Sequence, residues 1–544
     1  MKEEDMENNT RSAGQGPTVL PEAETSRHLF QRALYRGPSG NWTDDFAESL
    51  NASAGDVHLD LAAIASFLSF GMVGQQRTLL KEISRRPWMS RLSDAGEPVL
   101  EMLPAHGFFT ESADKIAREL YRRLCDEART ACDGFPEIFI LLSGGLDSRI
   151  VAGVLARLYE AGEIATKPVA VTWGLPDSRD VVYARKIAQI LGFDWQHVEF
   201  GPEEVLENIE ITACHLGLLH SPEMLHAMPW FRHIPQSSLV IAGSFGDSIG
   251  RAEFAGRRLL ELTQKRPTNA YGLMKSGVFR GACVGLQRDL DEIHARGGPQ
   301  APPYARNEHW MQGFRMRGGL CHALTIINRY ARVYQMFTAP EVYGFMWSLH
   351  PVRRNDDIYA VLLANELPEI AKVPWPRTNR ALSGATEGAQ KDLRAHYHEY
   401  TKWSSGPLYA ELCRRIDAEW FEATGVFEPT AIESLAKLVG LSQERVGRLN
   451  DIWLWLAGFR SFVEGIEETG RKLVIEADSV DTPQEPRPRL GGLHRLGVLA
   501  ASRSSALNGA LKTLRSYQRK RQLRRLLSKA LRDYPPRKGD WENA

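Results

Sequence analysis

The chain has 544 residues, and its 67 basic and 67 acidic side chains give a formal net charge of zero. This balance provides no overall field that would attract nucleic acid or an anionic membrane surface. Apolar residues form 43% of the sequence, but no apolar run reaches the roughly 18 residues that a membrane span requires. Six cysteines without C-x-x-C spacing indicate reduced thiols rather than a metal site, so we expect a cytoplasmic protein of two or three domains.

The N-terminal part of the chain predicts little regular structure before a first long helix. Residues 1–27 are polar and acidic with few large apolar groups, which predicts a disordered segment. Residues 28–110 contain short helical and irregular pieces. Between residues 112 and 132 apolar side chains recur at helical spacing, and this pattern predicts an amphipathic helix.

Strands and helices then alternate along the chain. We predict strands at 137–142, 168–173, 196–200 and 238–243, and helices near 148–161, 178–192 and 202–217. Alternation of this kind predicts an α/β fold in which helices cover both faces of a parallel sheet. In such sheets ligands bind at the carboxyl ends of the strands, so we expect a nucleotide there.

Beyond Gly250 the pattern is almost wholly helical to about Glu468. Residues 478–489 are rich in proline and charge, which predicts a linker. The tail between residues 489 and 538 carries fourteen basic residues against one acidic residue, with leucines at helical spacing. Such a basic helix could bind a partner, an acidic surface or RNA, and the alternative is a solvated helix packed on the body of the protein.

Residues 143–149, with the sequence SGGLDSR, lie between a predicted strand and a predicted helix. A strand, a glycine turn and a helix together aim backbone N–H groups and the positive end of the helix at a phosphate. No lysine follows the glycines, so this is not the G-x-x-x-x-G-K-[ST] loop that holds a γ-phosphate. Asp147 would repel a bare phosphate, and we therefore interpret it as a magnesium ligand.

The string S-G-G-x-D-S resembles the pyrophosphate loop of enzymes that split ATP between its α and β phosphates. With Leu-Leu before it and Arg after it, the loop is most similar to that of the asparagine synthetase family. The resemblance continues in residues 61–83, 169–174 and 239–248, and it spans roughly residues 57–385. It implies an adenine nucleotide α-hydrolase-like sheet, with ATP and Mg²⁺ as ligands of an AMP-forming carbon–nitrogen ligase.

The same resemblance implies roles for individual residues and a division of the chain. ATP contacts are implied for Leu142, Ser143, Gly144, Gly145, Asp147, Ser148, Trp173, Ala242 and Gly243. Asp147 and Asp247 are implied to hold Mg²⁺ with pyrophosphate. The predicted regions are a disordered N-terminus (1–27), a remnant amidotransferase or linker region (28–110), an asparagine synthetase-like ATP-binding domain (111–385), a helical extension (386–477), a linker (478–489) and a basic helical tail (490–544).

Three departures from the family pattern affect the nitrogen source and the catalytic groups. Lys2 stands where the family's glutaminase has its cysteine nucleophile, so we expect ammonia from a separate glutaminase or an amine on the substrate. Ser244 replaces the glutamate with which relatives handle the amine; β-lactam synthetases and lasso-peptide cyclases also replace it, usually by tyrosine. The late R-x-K segment is missing in register, and we interpret the nearby Lys372 and Arg377 as candidates to stabilise the transition state.

Three further residues near these motifs are charged. Two of them allow a functional and a structural interpretation, and the third is interpreted as structural. Arg149 could contact a phosphate or lie on the surface of its helix. Asp247 could ligate the metal or cap a short helix. Asp180 is interpreted as a first-turn acid that complements the dipole of its helix.

Two groups of charged or titratable side chains remain. A cationic group could reach the departing pyrophosphate or form a solvated face, and it consists of Arg257, Arg258, Lys265 and Arg266. Three histidines lack the spacing of metal ligands and are interpreted as core or surface residues rather than a zinc site: His215, His220 and His226.

We predict an ATP-dependent ligase that activates a small-molecule or peptide carboxylate as an acyl-adenylate, releases pyrophosphate and transfers the acyl group to an amine. The first alternative is an RNA-modifying enzyme with the same kind of loop, and the basic tail motivates it. The second alternative is a catalytically silent nucleotide-binding scaffold, motivated by Ser244 and the missing lysine.

Overall fold

The computed structural model describes residues 26–52, 55–251, 259, 266–299, 301–382, 392–476 and 532. Three predictions therefore lie wholly or mostly outside the described residues: the disordered N-terminus, the linker at 478–489 and the basic helical tail. The RNA-modifying alternative depends on that tail and gains no support from the described part of the chain.

Five parallel strands form the central sheet, which confirms the predicted α/β fold. They are β1 (Ile138–Leu141), β2 (Val169–Trp173), β3 (Asp194–Val198), β4 (Leu239–Ala242) and β5 (Arg332–Gln335). Their spatial order is β5-β4-β1-β2-β3. Ile140 of β1 lies opposite both Ala170 of β2 and Ile241 of β4. The central strands β1 and β4 consist of apolar residues because neighbouring elements cover them on both faces.

Four helices flank this part of the sheet: α1 (Ala113–Cys132), α2 (Leu146–Glu160), α3 (Arg179–Ile190) and α4 (Pro202–Cys214). Side-chain caps define where two of them begin, because the Ser112 hydroxyl accepts from the Lys115 amide and Ser178 caps α3 in the same way. The bounds agree with the predicted helices to within a few residues, and Asp180 lies in the first turn of α3 as predicted.

The prediction of an almost wholly helical region beyond Gly250 is wrong at β5. Residues Arg332–Gln335 pair in parallel with β4, with Leu239 opposite Arg332 and Ala242 opposite Gln335. Four residues are too few to show a period of two against a helical background. The open edge of β4 therefore determines that this segment is a strand, since it supplies the hydrogen-bonding partners.

The remaining elements are short strands and helices. The strands outside the central sheet are Tyr35–Arg36, Trp42–Thr43, Val57–His58, Ser84–Arg85, Ser90–Leu92, Pro98–Leu100 and Leu473–Val474. The other α-helices are Phe46–Asn51, Leu61–Phe70, Gly246–Ile249, Ser276–Ala295, Pro303–Trp310, His322–Leu324, Pro340–Ser348, Asp356–Glu366, Pro368–Ala371, Tyr400–Ser405, Tyr409–Arg415, Ala418–Ala423, Pro429–Gly440 and Leu449–Glu468. A π-helix covers Met311–Cys321, and 3₁₀ turns cover Pro222–Leu225, Met228–His233, Ala270–Gly272, Thr325–Arg329, Met336–Thr338 and Pro351–Arg353.

The N-terminal and C-terminal parts of the described chain pack on each other and on the sheet through one apolar core. Val57–His58 pairs in parallel with Leu473–Val474. Phe67 stacks on Trp455 with ring centroids 4.4 Å apart, and the helix that carries Trp455 also packs on α4. All six cysteines are unpaired, as predicted. Within the described ranges, no helix is both long enough and apolar enough to cross a membrane.

Candidate nucleotide-binding site

A cavity of about 270 Å³ opens at the carboxyl ends of β1, β2 and β4. Seven of the nine residues implied to contact ATP line it: Leu142, Ser143, Gly145, Asp147, Ser148, Trp173 and Gly243. The other lining residues are Leu141, Val171, Thr172, Asp180, His226, Met228, Ser244, Leu320, Leu324 and Tyr397. The sheet thus brings together most of the predicted nucleotide contacts, which come from three separate stretches of sequence.

The glycine turn between β1 and α2 is held by hydrogen bonds within itself. The Ser143 amide donates to Ser148 Oγ at 3.1 Å, and the Gly145 amide donates to Ser143 Oγ at 3.1 Å. Gly145 is the N-cap of α2 and has no side chain with which to cap it. The N-cap position therefore offers no side-chain acceptor to the first amides of this 15-residue helix, an arrangement that favours an anion there.

Gly144 and Ala242 are the two implied ATP contacts that do not line the cavity. The Gly144 amide donates to the Asp180 carbonyl at 3.1 Å, and a Cβ at Gly144 would lie 2.5 Å from Pro376 Cγ. Gly144 is thus glycine because the segment around Pro376 packs directly on it. Ala242 is the fully buried last residue of β4 and positions Gly243.

Arg251 binds the aspartate that the sequence assigns to magnesium, and sequence reasoning missed this residue. Its Nη2 and Nε lie 2.9 and 3.1 Å from the two Asp147 carboxylate oxygens. The guanidinium lies 5.6 Å from the Tyr359 ring centroid and 5.4 Å from that of Trp375, and Arg251 is 4% exposed. Burial raises the pKa of the Asp147 carboxyl, and the Arg251 guanidinium opposes that rise.

Asp247 lies beside this ion pair, on the first turn of the helix Gly246–Ile249. Burial lowers the pKa of Arg251, but the Asp147 and Asp247 carboxylates together raise it above its usual value. A Cβ at Gly246 would lie 2.5 Å from Asp147 Oδ1. The segment after β4 and the start of α2 therefore meet closely, but Asp147 lines the cavity and Asp247 does not. Binding of one metal ion by both aspartates stays a prediction.

The donor chemistry of Asp147 and Asp247 fits Mg²⁺, which prefers carboxylate oxygens and keeps several waters. A carboxylate offers about four acceptor positions, and Arg251 uses one on each Asp147 oxygen. Among the described residues no group of three or more His, Cys, Asp or Glu side chains is arranged for a metal. Phosphate and water oxygens would therefore complete the coordination.

Arg149 lies neither at a phosphate site nor on the helix surface, so both interpretations of it are wrong. It is fully buried. Its guanidinium donates to four carbonyl oxygens, those of Gly144 (2.7 Å), Ile370 (3.2 Å), Val373 (2.6 Å) and Pro374 (3.0 Å). Burial lowers its pKa to about 10. Arg149 thus fixes the glycine turn to the segment that covers it.

The candidate transition-state residues Lys372 and Arg377 lie at the two ends of that covering segment. Both side chains are exposed, and neither lines the cavity. The Arg377 guanidinium lies 5.5 Å from the Trp375 ring centroid. Catalysis by Lys372 or Arg377 stays a prediction.

The cationic group between residues 257 and 266 is described only at its last member. Arg266 lines a separate groove with Arg280 and Arg288. Arg257, Arg258 and Lys265 lie outside the described residues.

Three further lining residues of the cavity are aromatic or acidic: His226, Tyr397 and Asp180. His226 stacks on Trp173 at 6.2 Å, and its Nε2 lies 3.2 Å from the Tyr397 hydroxyl. Its backbone has φ 47° and ψ −127°, a strained conformation for a residue other than glycine. Burial lowers the pKa of His226 to about 4 and raises that of Asp180 to about 6. His226 is therefore neutral at physiological pH.

The other two histidines behave as the sequence indicates. His215 is half-buried, with Nδ1 3.1 Å from Asp45 Oδ2. His220 is fully buried, and its Nδ1 lies 2.9 Å from the Ser221 carbonyl oxygen. Neither belongs to a metal-binding group among the described residues.

Residues 119–249 match the family model for asparagine synthase. Over 109 residues, the chain is 33% identical to the glutamine-hydrolysing asparagine synthetase of Gallus gallus and 30% identical to those of Rattus norvegicus and Homo sapiens. The chain covers 18% of the length of these relatives, and the match covers 19% of the chain. The resemblance is thus confirmed for an asparagine synthase-like region that contains β1 to β4 and the glycine turn.

Proposed function

We propose that this protein is an ATP-dependent ligase that activates a carboxylate as an acyl-adenylate and transfers the acyl group to an amine. The observation that carries the proposal is the cavity at the strand ends, where the glycine turn, Trp173 and Gly243 lie around one space. The uncapped start of α2 supports binding of the phosphates. The family match of residues 119–249 supports the reaction class.

The proposed reaction has two steps. A carboxylate oxygen attacks the α-phosphorus of ATP, the bond between the α-phosphorus and the bridging oxygen breaks, and pyrophosphate leaves. An amine nitrogen then attacks the acyl carbon, the bond from that carbon to the AMP oxygen breaks, and the nitrogen loses a proton. The first amides of α2 orient the phosphates, and Arg251 neutralises charge beside them. Mg²⁺, held by Asp147 and Asp247, would neutralise the pyrophosphate leaving group.

Ser244 affects where the nitrogen of the product comes from. Ser244 lines the cavity, and a serine hydroxyl does not remove a proton near neutral pH without the help of a base. Its amide donates to Gln335 Oε1 at 3.2 Å, so this position is fixed by the end of β5. We therefore infer that the nitrogen arrives as free ammonia, from a separate glutaminase, or as an amine that the substrate carries.

The test is the exchange of labelled pyrophosphate into ATP, together with AMP release, in the presence of carboxylates and ammonium. Asp147→Asn should lower both rates by at least 100-fold, since it removes a charge from the pyrophosphate site. Asp114→Asn is the matched control, because Asp114 is a half-exposed acid on α1 that pairs with Arg118 and does not line the cavity. Exchange that survives Asp147→Asn would contradict the site assignment.

One observation favours a second candidate, a protein that binds nucleotide without cleaving it. The Arg251 guanidinium engages both oxygens of Asp147, so the pyrophosphate site is neutralised by the chain itself. Tight binding of ATP with no AMP formed by the pure protein, across carboxylates and ammonium, would favour this candidate over the ligase.

A further inference from the structure

One side of the nucleotide cavity is apolar. Three of the residues that line it are large and apolar: Met228, Leu320 and Leu324. Met228 and Leu324 are buried, and Leu320 is half-buried. We call these three side chains together the apolar compartment of the cavity, which Ser244 also lines.

The apolar compartment lies on the β4–β5 side of the glycine turn, away from Trp173. Met228 begins the turn Met228–His233, which packs on Thr325–Arg329, and that segment in turn contacts β5. Leu324 immediately precedes Thr325–Arg329, and Leu320 lies near the end of the π-helix Met311–Cys321, shortly before it. Trp173 ends β2, two strands from the end of β4, so it lies about 10 Å from Ser244 across the sheet. The compartment thus lies toward the β4–β5 side of the cavity, whereas Trp173 and Asp180 lie on the side of β2 and α3.

The charge of the cavity restricts what this compartment can accept. Among the described residues that line it there is no lysine or arginine. Burial lowers the pKa of His226 to about 4, so it carries no charge either. Of the two lining acids, Asp147 is paired with Arg251 and Asp180 lies on the nucleotide side. Among the described lining residues, a second carboxylate on the substrate would therefore find no cation to pair with, and an unpaired buried charge is strongly disfavoured.

We propose that the acyl substrate is a monocarboxylate with an apolar substituent, which packs against Met228, Leu320 and Leu324. Its carboxylate faces the glycine turn, where the α-phosphate of ATP lies. This inference rests on the proposed ligase function and adds the substrate class. Gln335 is a positioning residue here, since its Oε1 accepts from the Ser244 amide at 3.2 Å while its buried Nε2 has no acceptor among the described residues.

The test compares two series of acids in the pyrophosphate exchange and AMP-release assays, with ammonium present. The apolar series is isovalerate, hexanoate and phenylacetate, and the dicarboxylate series is succinate, glutarate and aspartate. The best apolar acid should exceed the best dicarboxylate in kcat/KM by at least tenfold. A smaller preference, or turnover of dicarboxylates alone, overturns this inference and leaves the ligase function standing. No turnover with any acid refutes the ligase function and this inference with it.

Leu320→Arg tests whether the apolar compartment selects the substrate, by changing the protein instead of the acid. Leu320 is half-buried, so an arginine can enter the compartment while its stem keeps the apolar contacts. This variant should shift the ratio of dicarboxylate to monocarboxylate kcat/KM upward by at least tenfold. Leu441→Arg is the control, because Leu441 is 40% exposed and does not line the cavity. An ATP affinity equal to that of the wild type shows that each variant is folded. If Leu320→Arg is folded and its ratio of dicarboxylate to monocarboxylate kcat/KM is unchanged, the assignment of the compartment is overturned.

Discussion

Replacement of Arg149 by methionine tests whether a buried cation holds the glycine turn in place. Methionine keeps the apolar stem but leaves the carbonyl oxygens of Gly144, Ile370, Val373 and Pro374 without the guanidinium. A hydrogen bond from a charged group contributes about 1.5–3 kcal/mol, and removal of the guanidinium also ends its own desolvation penalty. We therefore expect a net loss of about 3 kcal/mol in the free energy of unfolding.

Urea denaturation followed by tryptophan fluorescence measures this loss, and ATP binding should weaken with it because the turn loses its attachment. Arg157→Gln is the control on the same helix, since Arg157 forms partly exposed pairs with Glu160 and Glu369. Exposed pairs of this kind contribute about 0–1 kcal/mol. If Arg149→Met unfolds at the wild-type urea concentration but binds no ATP, Arg149 acts on the phosphates directly and the structural argument is refuted.

Three further substitutions probe the site. Gly246→Ala places a Cβ 2.5 Å from Asp147 Oδ1, so it should lower the rate of AMP formation at least 100-fold. Gly277→Ala is the control and should leave that rate unchanged, because its Cβ would meet nothing within 4 Å. Arg251→Gln removes the positive charge that pairs with Asp147, so a Mg²⁺ titration of ATP binding should show about tenfold tighter metal binding. Arg353→Gln is the control and should not change metal binding, because Arg353 is exposed. Burial raises the pKa of Asp180 to about 6, so folding is penalised as the pH rises from about 4 to 6. Asp180→Asn should therefore be more stable than the wild type by about 1–3 kcal/mol at pH 7 and no more stable below pH 4; an equal difference at both pH values would contradict this reasoning.

The sequence predicts the sheet and the glycine turn because their signals are local. β1, β2 and β4 are apolar runs that end in glycine or in small residues, and α1 to α3 begin at or near residues that the sequence marks as caps. The ATP contacts come instead from the family resemblance, and seven of the nine that it implies line the cavity. β5 escapes prediction because four residues carry no measurable period and its partner strand lies about 90 residues earlier in the sequence.

The electrostatics of the site depend on contacts between distant residues, and single-sequence patterns do not record them. Arg251 follows β4 by nine positions, but its partner Asp147 lies 104 residues earlier. The carbonyl acceptors that bury Arg149 include three that lie 221 to 225 residues later. Tyr397 contacts His226 across 171 residues of sequence. The strained backbone at position 226 is not predictable either, because the residue there is not a glycine. In each case the fold, rather than local sequence, decides the charge or orientation of the side chain.

The pairing of Val57–His58 with Leu473–Val474 also affects how the chain folds during synthesis. The Lys472 amide contacts Asp56 across 416 residues, so these partners meet only after nearly all of the described chain has left the ribosome. At about 5–20 residues per second this delay is about 20–80 s. During that interval Phe67 also lacks its stacking partner Trp455. A polypeptide that stops before residue 449 would therefore leave Phe67 without the cover of Trp455, although Ser276–Ala295 would already pack on Leu61–Phe70. The exposed aromatic surface makes chaperone binding during translation the expected fate of incomplete chains.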